Sequence, residues 1–470
     1  MNSPEAQEAA SSPPFPPSAR AHPTFAQAFR FWLKLGFISF GGPTGQIAIM
    51  HTELVERKKW IGESRFLHAL NFCMLLPGPE AAQLATYIGW LLHGLRGGLA
   101  AGILFVLPSV FILWGLSYVY AAYGQVAWIA SVFYGLKPAV IAIVACAVWR
   151  IGQRALQNRW LWGFSALAFL ALFAFQAPFP AVLLTAGLSG LLGGKFMPAL
   201  FPVRMHQDAA HAGAAILGDT HATPEHAKPS WTRALKVSGV CLVLWWLPVL
   251  ALGYVEGWGS TLFQQGLFFS KAAMVTFGGA YAVLPYVAQI AVDEFHWLSA
   301  AQMMDGLGLA ETTPGPLIMV VQFVAFMGGW NGAGDGNPLA HASACALLAT
   351  WVTFTPCFLW IFLGAPYIEQ WRGQTRLNHA LSAITAAVVG VVLNLAVWFG
   401  VRVLFPEEAF WREWAAGGMG WRAVAGHMDL FALALATLAF LAMRFRKWEV
   451  VPVVLASGLA GLGYRMLAGH

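Results

Sequence analysis

Displacing the chain by 237 positions (314 − 77) lays Pro77-Gly78-Pro79 onto Pro314-Gly315-Pro316. The same shift carries Phe40-Gly41-Gly42 onto Phe277-Gly278-Gly279, Lys34 onto Lys271 and Trp60 onto Trp297. Matching features in a single ungapped register describe an internal duplication. Both copies lie in apolar surroundings. A Gly/Pro interruption repeated at corresponding places of two hydrophobic halves is the sequence pointer to a transporter's binding site.

Of the 470 residues, 58% are hydrophobic and only 10% charged. A soluble domain needs roughly a quarter of its residues charged, and several apolar runs here exceed the roughly 20 residues that cross a bilayer. The chain therefore reads as an all-α polytopic membrane protein, since a helix satisfies its own backbone in lipid. The formal charge of +6 does not indicate a nucleic-acid partner, because the Lys and Arg sit in short loops between apolar segments. Cys73, Cys146, Cys241, Cys345 and Cys357 fall inside apolar segments without a CxxC pair, which argues against a disulfide framework or a zinc site. No cofactor is expected. Residues 1–24, rich in Pro, Ala and Ser and without an apolar signal-peptide core, are expected to form a disordered tail.

Apolar segments lie near 25–50, 64–92, 97–123, 125–149, 160–176, 179–194, 235–254, 262–291, 300–329, 340–367, 378–404, 427–443 and 449–467. The reading is an N-terminal repeat over 25–194, a cytoplasmic polar linker over 195–232, one linking transmembrane helix over 233–256, and a C-terminal repeat over 260–470. The linker carries His206, His211, His221 and His226 with Asp208, Asp219 and Glu225. Their spacing is irregular, which favours a solvated connection over convergent metal ligands.

Basic residues gather at Arg57-Lys58-Lys59, at Arg150, Arg154 and Arg159, at Lys195 and Arg204, at Lys228, Arg233 and Lys236, at Arg372 and Arg376, and at Arg444, Arg446 and Lys447. The turn Ala121 to Gln125 is uncharged, and Glu256, Asp293-Glu294 and Asp335 sit in loops without Lys or Arg. These are the expected cytoplasmic and external classes. They fail to alternate if every segment crosses once. They do alternate if 25–50 and 64–92 each enter, break at their Gly/Pro clusters and return. The N-terminus is then cytoplasmic, the linking helix crosses outward, and the second copy begins outside, giving two inverted-topology repeats with broken, re-entrant helices. The loop 402–425, with Arg402, Arg412 and Arg422 beside Glu407, Glu408 and Glu413, is the weak exception, and the C-terminus is expected outside.

The breaks carry the chemistry. A helix restarting at Pro43 or Pro79 presents free N–H groups, because Pro suits the first helical turn, and a helix N-terminus with about half a positive charge is an anion site. Gly41, Gly42, Pro43, Pro77, Gly78 and Pro79, with Gly278, Gly279, Pro314, Gly315 and Pro316, are thus candidate binding residues for a small tetrahedral oxyanion. The competing reading is close helix packing. Lys34 and Lys271 would balance a dianion; snorkelling is the alternative. Lys137, before Pro138, is a third cation within an apolar run. Glu80 and Glu311 are candidates to exchange a proton with the transport cycle, or are N-caps or partners of Lys34 and Lys271. Thr312 and Thr313 would bind the anion or satisfy freed backbone groups. Trp60 and Trp297 are expected to be interfacial anchors.

At these residues the chain resembles the chromate ion transporter family in its long two-domain form. The first copy matches through Phe31-Trp32-Leu33-Lys34-Leu35-Gly36, Phe40-Gly41-Gly42-Pro43, Trp60, Leu76-Pro77-Gly78-Pro79 and the stretch Phe105 to Pro108. The second matches through Phe277-Gly278-Gly279, Trp297 and Glu311-Thr312-Thr313-Pro314-Gly315-Pro316. Glu80 departs from the pattern, which leads one to expect a small hydroxyl residue there. The resemblance implies chromate export across the bacterial inner membrane, driven by the proton motive force and conferring resistance, with sulfate as competitor. Membrane lipid is the implied environment, and a homodimer is compatible with the reading. Transport of sulfate or another oxyanion, an anion channel and a membrane chromate reductase are the alternatives. The reductase would need a redox cofactor, for which the isolated cysteines and the absence of a dinucleotide Gly-rich strand–helix unit give no basis.

Overall fold

The structure is a computed structural model that describes residues 22–40, 42–197, 216, 229–277, 279–334, 336–368, 376–406, 410 and 426–468. Gly41, Gly278 and Asp335, most of the tail, the linker histidines and the loop residues Glu407, Glu408, Arg412, Glu413 and Arg422 lie outside the described residues.

Helices α1 (Phe25–Ile38), α2 (Gly42–His51), α3 (Glu63–Leu75), α4 (Glu80–Tyr123), α5 (Ala127–Ala155), α6 (Arg159–Phe173) and α7 (Phe179–Phe196) make up the first copy. Helix α8 (Trp231–Glu256) links it to α9 (Thr261–Met274), α10 (Ala280–Ala288), α11 (Ala300–Thr312), α12 (Val320–Asn331), α13 (Pro338–Ile368), α14 (Arg376–Leu404), α15 (Leu430–Phe445) and α16 (Val450–Ala468). Seven described helices are long and apolar enough to cross a membrane, and no strand occurs among the described residues. This is a multi-pass, all-α membrane protein.

Local chemistry sets the helix starts. Thr24 and Ser299 open α1 and α11 with capping boxes completed by Gln27 and Gln302, and Ser260 caps α9. Helix α4 is bent where His93 and Gly94 leave helical geometry, Gly94 at φ 62°. Its two arms thereby correspond to α12 and α13 of the second copy.

The duplication extends to backbone detail. Both copies end their second helix in a π-helical turn, Thr52–Arg57 and Gln289–Glu294. In the first, Lys58 N–H donates to the Glu53 carbonyl and Trp60 N–H to that of Leu54; in the second, Phe295 donates to Ile290 and Trp297 to Ala291, all at 2.8–2.9 Å. Lys59 and His296, equivalent at the 237 shift, both take positive φ, 53° and 52°. The repeated tryptophans are not interfacial anchors: Trp60 and Trp297 are buried, each edge-on to the equivalent Phe31 or Phe268. An indole wedged under the first helix closes the turn, and its apolar area is worth more inside than at the headgroups.

The helices pack in matching pairs. Helix α1 lies on α4 as α9 lies on α13. Helix α5 packs on α15 and α16 of the second copy, while α14 packs on α6 and α7 of the first. The copies are thus intertwined. Small residues permit the close crossings: a Cβ on Gly135 would sit 2.9 Å from the Gly461 Cα, and one on Gly390 would sit 2.9 Å from the Phe169 nitrogen.

Candidate functional site

Among the described residues, helices stop and restart at four Gly/Pro clusters: at Ser39, Phe40 and Gly42 and at Leu76–Pro79 in the first copy, and at the equivalent Thr276, Phe277 and Gly279 and at Thr313–Pro316 in the second. The four break glycines that the structure describes, Gly42, Gly78, Gly279 and Gly315, have φ of 71°, 124°, 96° and 110°. A side chain disfavours that region, so glycine is what lets the backbone reverse there.

The breaks of one copy bond to those of the other. Gly78 N–H donates to the Thr276 carbonyl at 2.8 Å, and Gly315 N–H donates to the Ser39 carbonyl at 2.8 Å. Both donors and both acceptors are equivalent at the 237 shift. Ser39 and Thr276 are themselves fixed alike, their hydroxyls donating one turn back to the Leu35 and Ala272 carbonyls at 2.6 and 2.7 Å. Two glutamines add clamps: Gln46 Nε2 donates to the Gly315 carbonyl at 2.6 Å, and Gln83 Nε2 to the Pro77 carbonyl at 2.8 Å. Each Pro-Gly-Pro also rests on the other copy's long helix. A Cβ on Gly78 would lie 3.0 Å from Cys357 Sγ, and one on Gly315 would lie 2.9 Å from Ser109 Oγ.

Helix starts meet at this junction. Helix α4 begins at Glu80 after Pro79, α10 begins after Gly279, and a short 3₁₀ turn, Leu317–Met319, leads from Pro316 into α12; no side chain caps any of the three. A Cβ on Gly279 would lie 3.4 Å from Glu80 Oε1 and 3.9 Å from Pro43 Cγ, which brings the starts of α2, α4 and α10 within side-chain reach of one another. Uncapped N–H groups and positive dipole ends are the features that favour a negatively charged group.

The comparisons follow the same division of the chain. The family model described as Chromate transporter matches residues 26–191 and 263–462, one stretch in each copy. The chain belongs to the chromate transporter family. It is 29% identical to the chromate transport protein of Cupriavidus metallidurans over the full length of both chains. It is 31% identical to the chromate transport protein of Pseudomonas aeruginosa, over 93% of this chain and 92% of that one. A probable chromate transport protein of Synechococcus elongatus is 28% identical over 83% of this chain and 88% of its own. No solved structure matches.

In this chromate-transporter chain the sequence candidates separate into groups. Pro43, Pro77, Gly78, Pro79, Gly279, Pro314, Gly315 and Pro316 surround the junction, as does Gly42 at the start of α2. Pro79 is the residue before α4 rather than its first, and α2 starts at Gly42 rather than Pro43. Glu80 is half-buried at the junction, and its carboxylate has no hydrogen-bond or ion-pair partner among the described residues. It is therefore neither a cap nor a partner of Lys34 or Lys271. Glu311 is buried and accepts a hydrogen bond from the Tyr281 hydroxyl. Thr312 donates to the Gly308 and Leu309 carbonyls and Thr313 to that of Ala310, so both hydroxyls satisfy their own helix end.

Lys34 and Lys271 are exposed, each near the C-terminal end of its helix ahead of the break. Lys271 lines a cavity of about 410 Å³ together with Gln264, Phe268, Tyr286 and Glu294. Lys137 lies 3.9 Å from the buried carboxylate of Asp305. Sequence reasoning missed Ser39, Thr276, Gln46, Gln83, Tyr281 and Asp305. Ser39 and Thr276 were within reach, since they occupy equivalent positions in the duplicated register. The two glutamines have no counterpart across the shift, so only the fold reveals them.

Proposed function

We propose that the protein is a secondary transporter that exports chromate across the bacterial inner membrane and so confers resistance, and that it is not an enzyme. The observation that carries this reading is the reciprocal bonding of the four breaks, which gathers uncapped helix starts from both copies at one place. A tetrahedral dianion suits several N–H donors converging from different directions. Sulfate, of like shape and charge, is the expected competitor.

On this reading the copies are inverted in the membrane, with the N-terminus cytoplasmic and the C-terminus periplasmic. Four crossings, α4's second arm through α7, return the first copy to its starting side, and α8 reverses the second. The junction then lies near the bilayer midplane, where irregular backbone is tolerated because protein surrounds it. Alternating access arises as one part of the intertwined pair rocks against the other around the junction.

The proton motive force supplies the work. A membrane potential acts with about 2.3 kcal/mol per elementary charge per 100 mV, hence about 4.6 kcal/mol on a dianion, outward in a cell negative inside. Glu80 makes the cycle proton-dependent: its carboxylate stands among the same dipole ends that would hold the anion, so the two negative groups compete. A proton on Glu80 removes the competition. Glu311, secured by Tyr281, is the second candidate for proton exchange.

Uptake of radiolabelled chromate into everted membrane vesicles, with pH and voltage gradients imposed separately, tests the proposal. Accumulation that collapses with the potential and is reduced by sulfate is expected. Conductive flux without accumulation would identify a channel, loss of hexavalent chromium without transport a reductase, and accumulation of sulfate but not chromate a different cargo.

A further inference from the structure

Away from the junction, one buried group bridges the two copies. Asp305, on α11, is 3% exposed. Its Oδ2 accepts a hydrogen bond from the Tyr120 hydroxyl of α4 at 2.8 Å and lies 3.9 Å from Lys137 Nζ of α5. Its Oδ1 is buried and has no hydrogen-bond partner among the described residues. A buried carboxylate that served structure alone would be saturated with donors, because leaving a buried charged oxygen unpartnered is costly. Here the ammonium stands beyond hydrogen-bonding distance, and one oxygen meets no donor among the described residues.

The position is matched in the other half. Shifting Asp305 back by 237 gives His68, on α3, whose Nε2 lies 3.3 Å from the Ile368 carbonyl of α13. Aligning Pro108-Ser109 of α4 with Pro356-Cys357 of α13, the two pairs that receive the break glycines, makes Tyr120 the counterpart of Ile368. In both halves, then, the third helix presents a proton-carrying side chain to the far end of the other copy's long helix.

We propose that Asp305 is a further positioning residue of the transport cycle: with Tyr120 and Lys137 it ties α11 of the second copy to α4 and α5 of the first, and a proton taken up at its unpartnered oxygen loosens the tie by removing the charge that attracts Lys137. This rests on the proton-coupled, alternating-access reading above. The step is a simple protonation. A hydronium ion delivers a proton to Oδ1 and leaves water, the carboxylate becomes a carboxylic acid whose Oδ2 still accepts from Tyr120, and Lys137 keeps its protons but loses its counter-charge. Lys137 is the more accessible member of the pair, its side chain being 26% exposed against 4% for Asp305. The groups facing Asp305 are Tyr120 from α4 and Lys137 from α5; α12 brings Phe323, packed on Tyr120. On α16, Arg465 and Tyr464 are engaged instead at Tyr134, one turn before Lys137, and Tyr134 donates to Asp429. Helix α14 contributes no titratable contact to Asp305 among the described residues.

The test uses the full-length protein in liposomes, comparing net chromate transport under an imposed pH gradient with chromate-for-chromate exchange at equal pH. Asp305→Asn is expected to retain exchange while losing the pH response, which for one titrating group reaches about tenfold per pH unit. Asp305→Glu should restore the response. Should Asp305→Asn fail to assemble because Lys137 is left unpaired, Asp305→Asn with Lys137→Gln removes both charges and is read in the same way. A pH response in either neutral variant equal to that of the unmodified protein overturns the inference alone. Net transport by the unmodified protein that ignores the pH gradient overturns the proton-coupled reading beneath it.

Discussion

The backbone N–H of Gly78 donates to the Thr276 carbonyl across the two copies, 2.8 Å away, and the equivalent Gly315 returns the bond to Ser39. Each Pro-Gly-Pro is therefore completed by the other copy's Gly-Gly break, and neither copy builds the junction alone. Backbone bonds of this kind hold the reversed turns still while leaving the adjacent helix starts uncapped. That combination, a rigid frame around unsatisfied donors, is what an anion-binding centre needs.

The fit around Gly315 is tight enough to test. An alanine there would place its Cβ 2.9 Å from Ser109 Oγ and require φ of 110°. The backbone alone costs about 1–2 kcal/mol. Gly315→Ala is expected to lower the unfolding midpoint of the detergent-purified protein and abolish transport. Adding Ser109→Gly should recover part of the midpoint but not the strain. No recovery at all would show that Ser109 is not the obstacle.

Glu80 should govern the pH dependence of anion binding. In its charged form it opposes a dianion at the junction, so binding to the unmodified protein weakens as pH rises. Glu80→Gln is expected to bind more tightly than the unmodified protein at alkaline pH, with the two converging at acid pH. Equilibrium binding of radiolabelled sulfate, whose charge is constant near neutrality, reads this without interference from chromate's own protonation. Parallel pH curves for the two proteins would remove Glu80 from the anion's place.

Lys271 and Lys34 are exposed, and their effects should differ from those of the break residues. Lys271→Ala is expected to raise the KM for chromate several-fold through lost attraction in the cavity it shares with Glu294, with insertion unchanged. The effect should shrink at high ionic strength, because an exposed charge is screened. A loss of kcat with unaltered KM would instead make Lys271 part of the moving machinery.

Membrane sidedness is open to a direct measurement. Single cysteines introduced at residues 57–59 and at residues 293–294, in a background lacking the five native ones, should react with an impermeant thiol reagent from opposite faces. Both sets reacting from one face would refute the inverted arrangement.

Much of this protein was legible from its residues. Composition and run length required membrane helices, because a backbone in lipid must bond to itself. The register of 237 located both copies, and glycine between prolines marked where each helix had to stop. Local terms sufficed there, since φ, capping and helix continuity depend on near neighbours. The tryptophans misled because their loop position suggested an interface, whereas burial depends on what packs above them. What tertiary structure decided was partnership: Gly78 with Thr276, Gln46 with Gly315, Tyr281 with Glu311, Lys137 with Asp305. These pairs join segments that are 30 to 269 positions apart. Nothing in the periodicity of either segment specifies its partner, because hydrogen bonds and charge are satisfied by whatever the fold brings within about 3–4 Å.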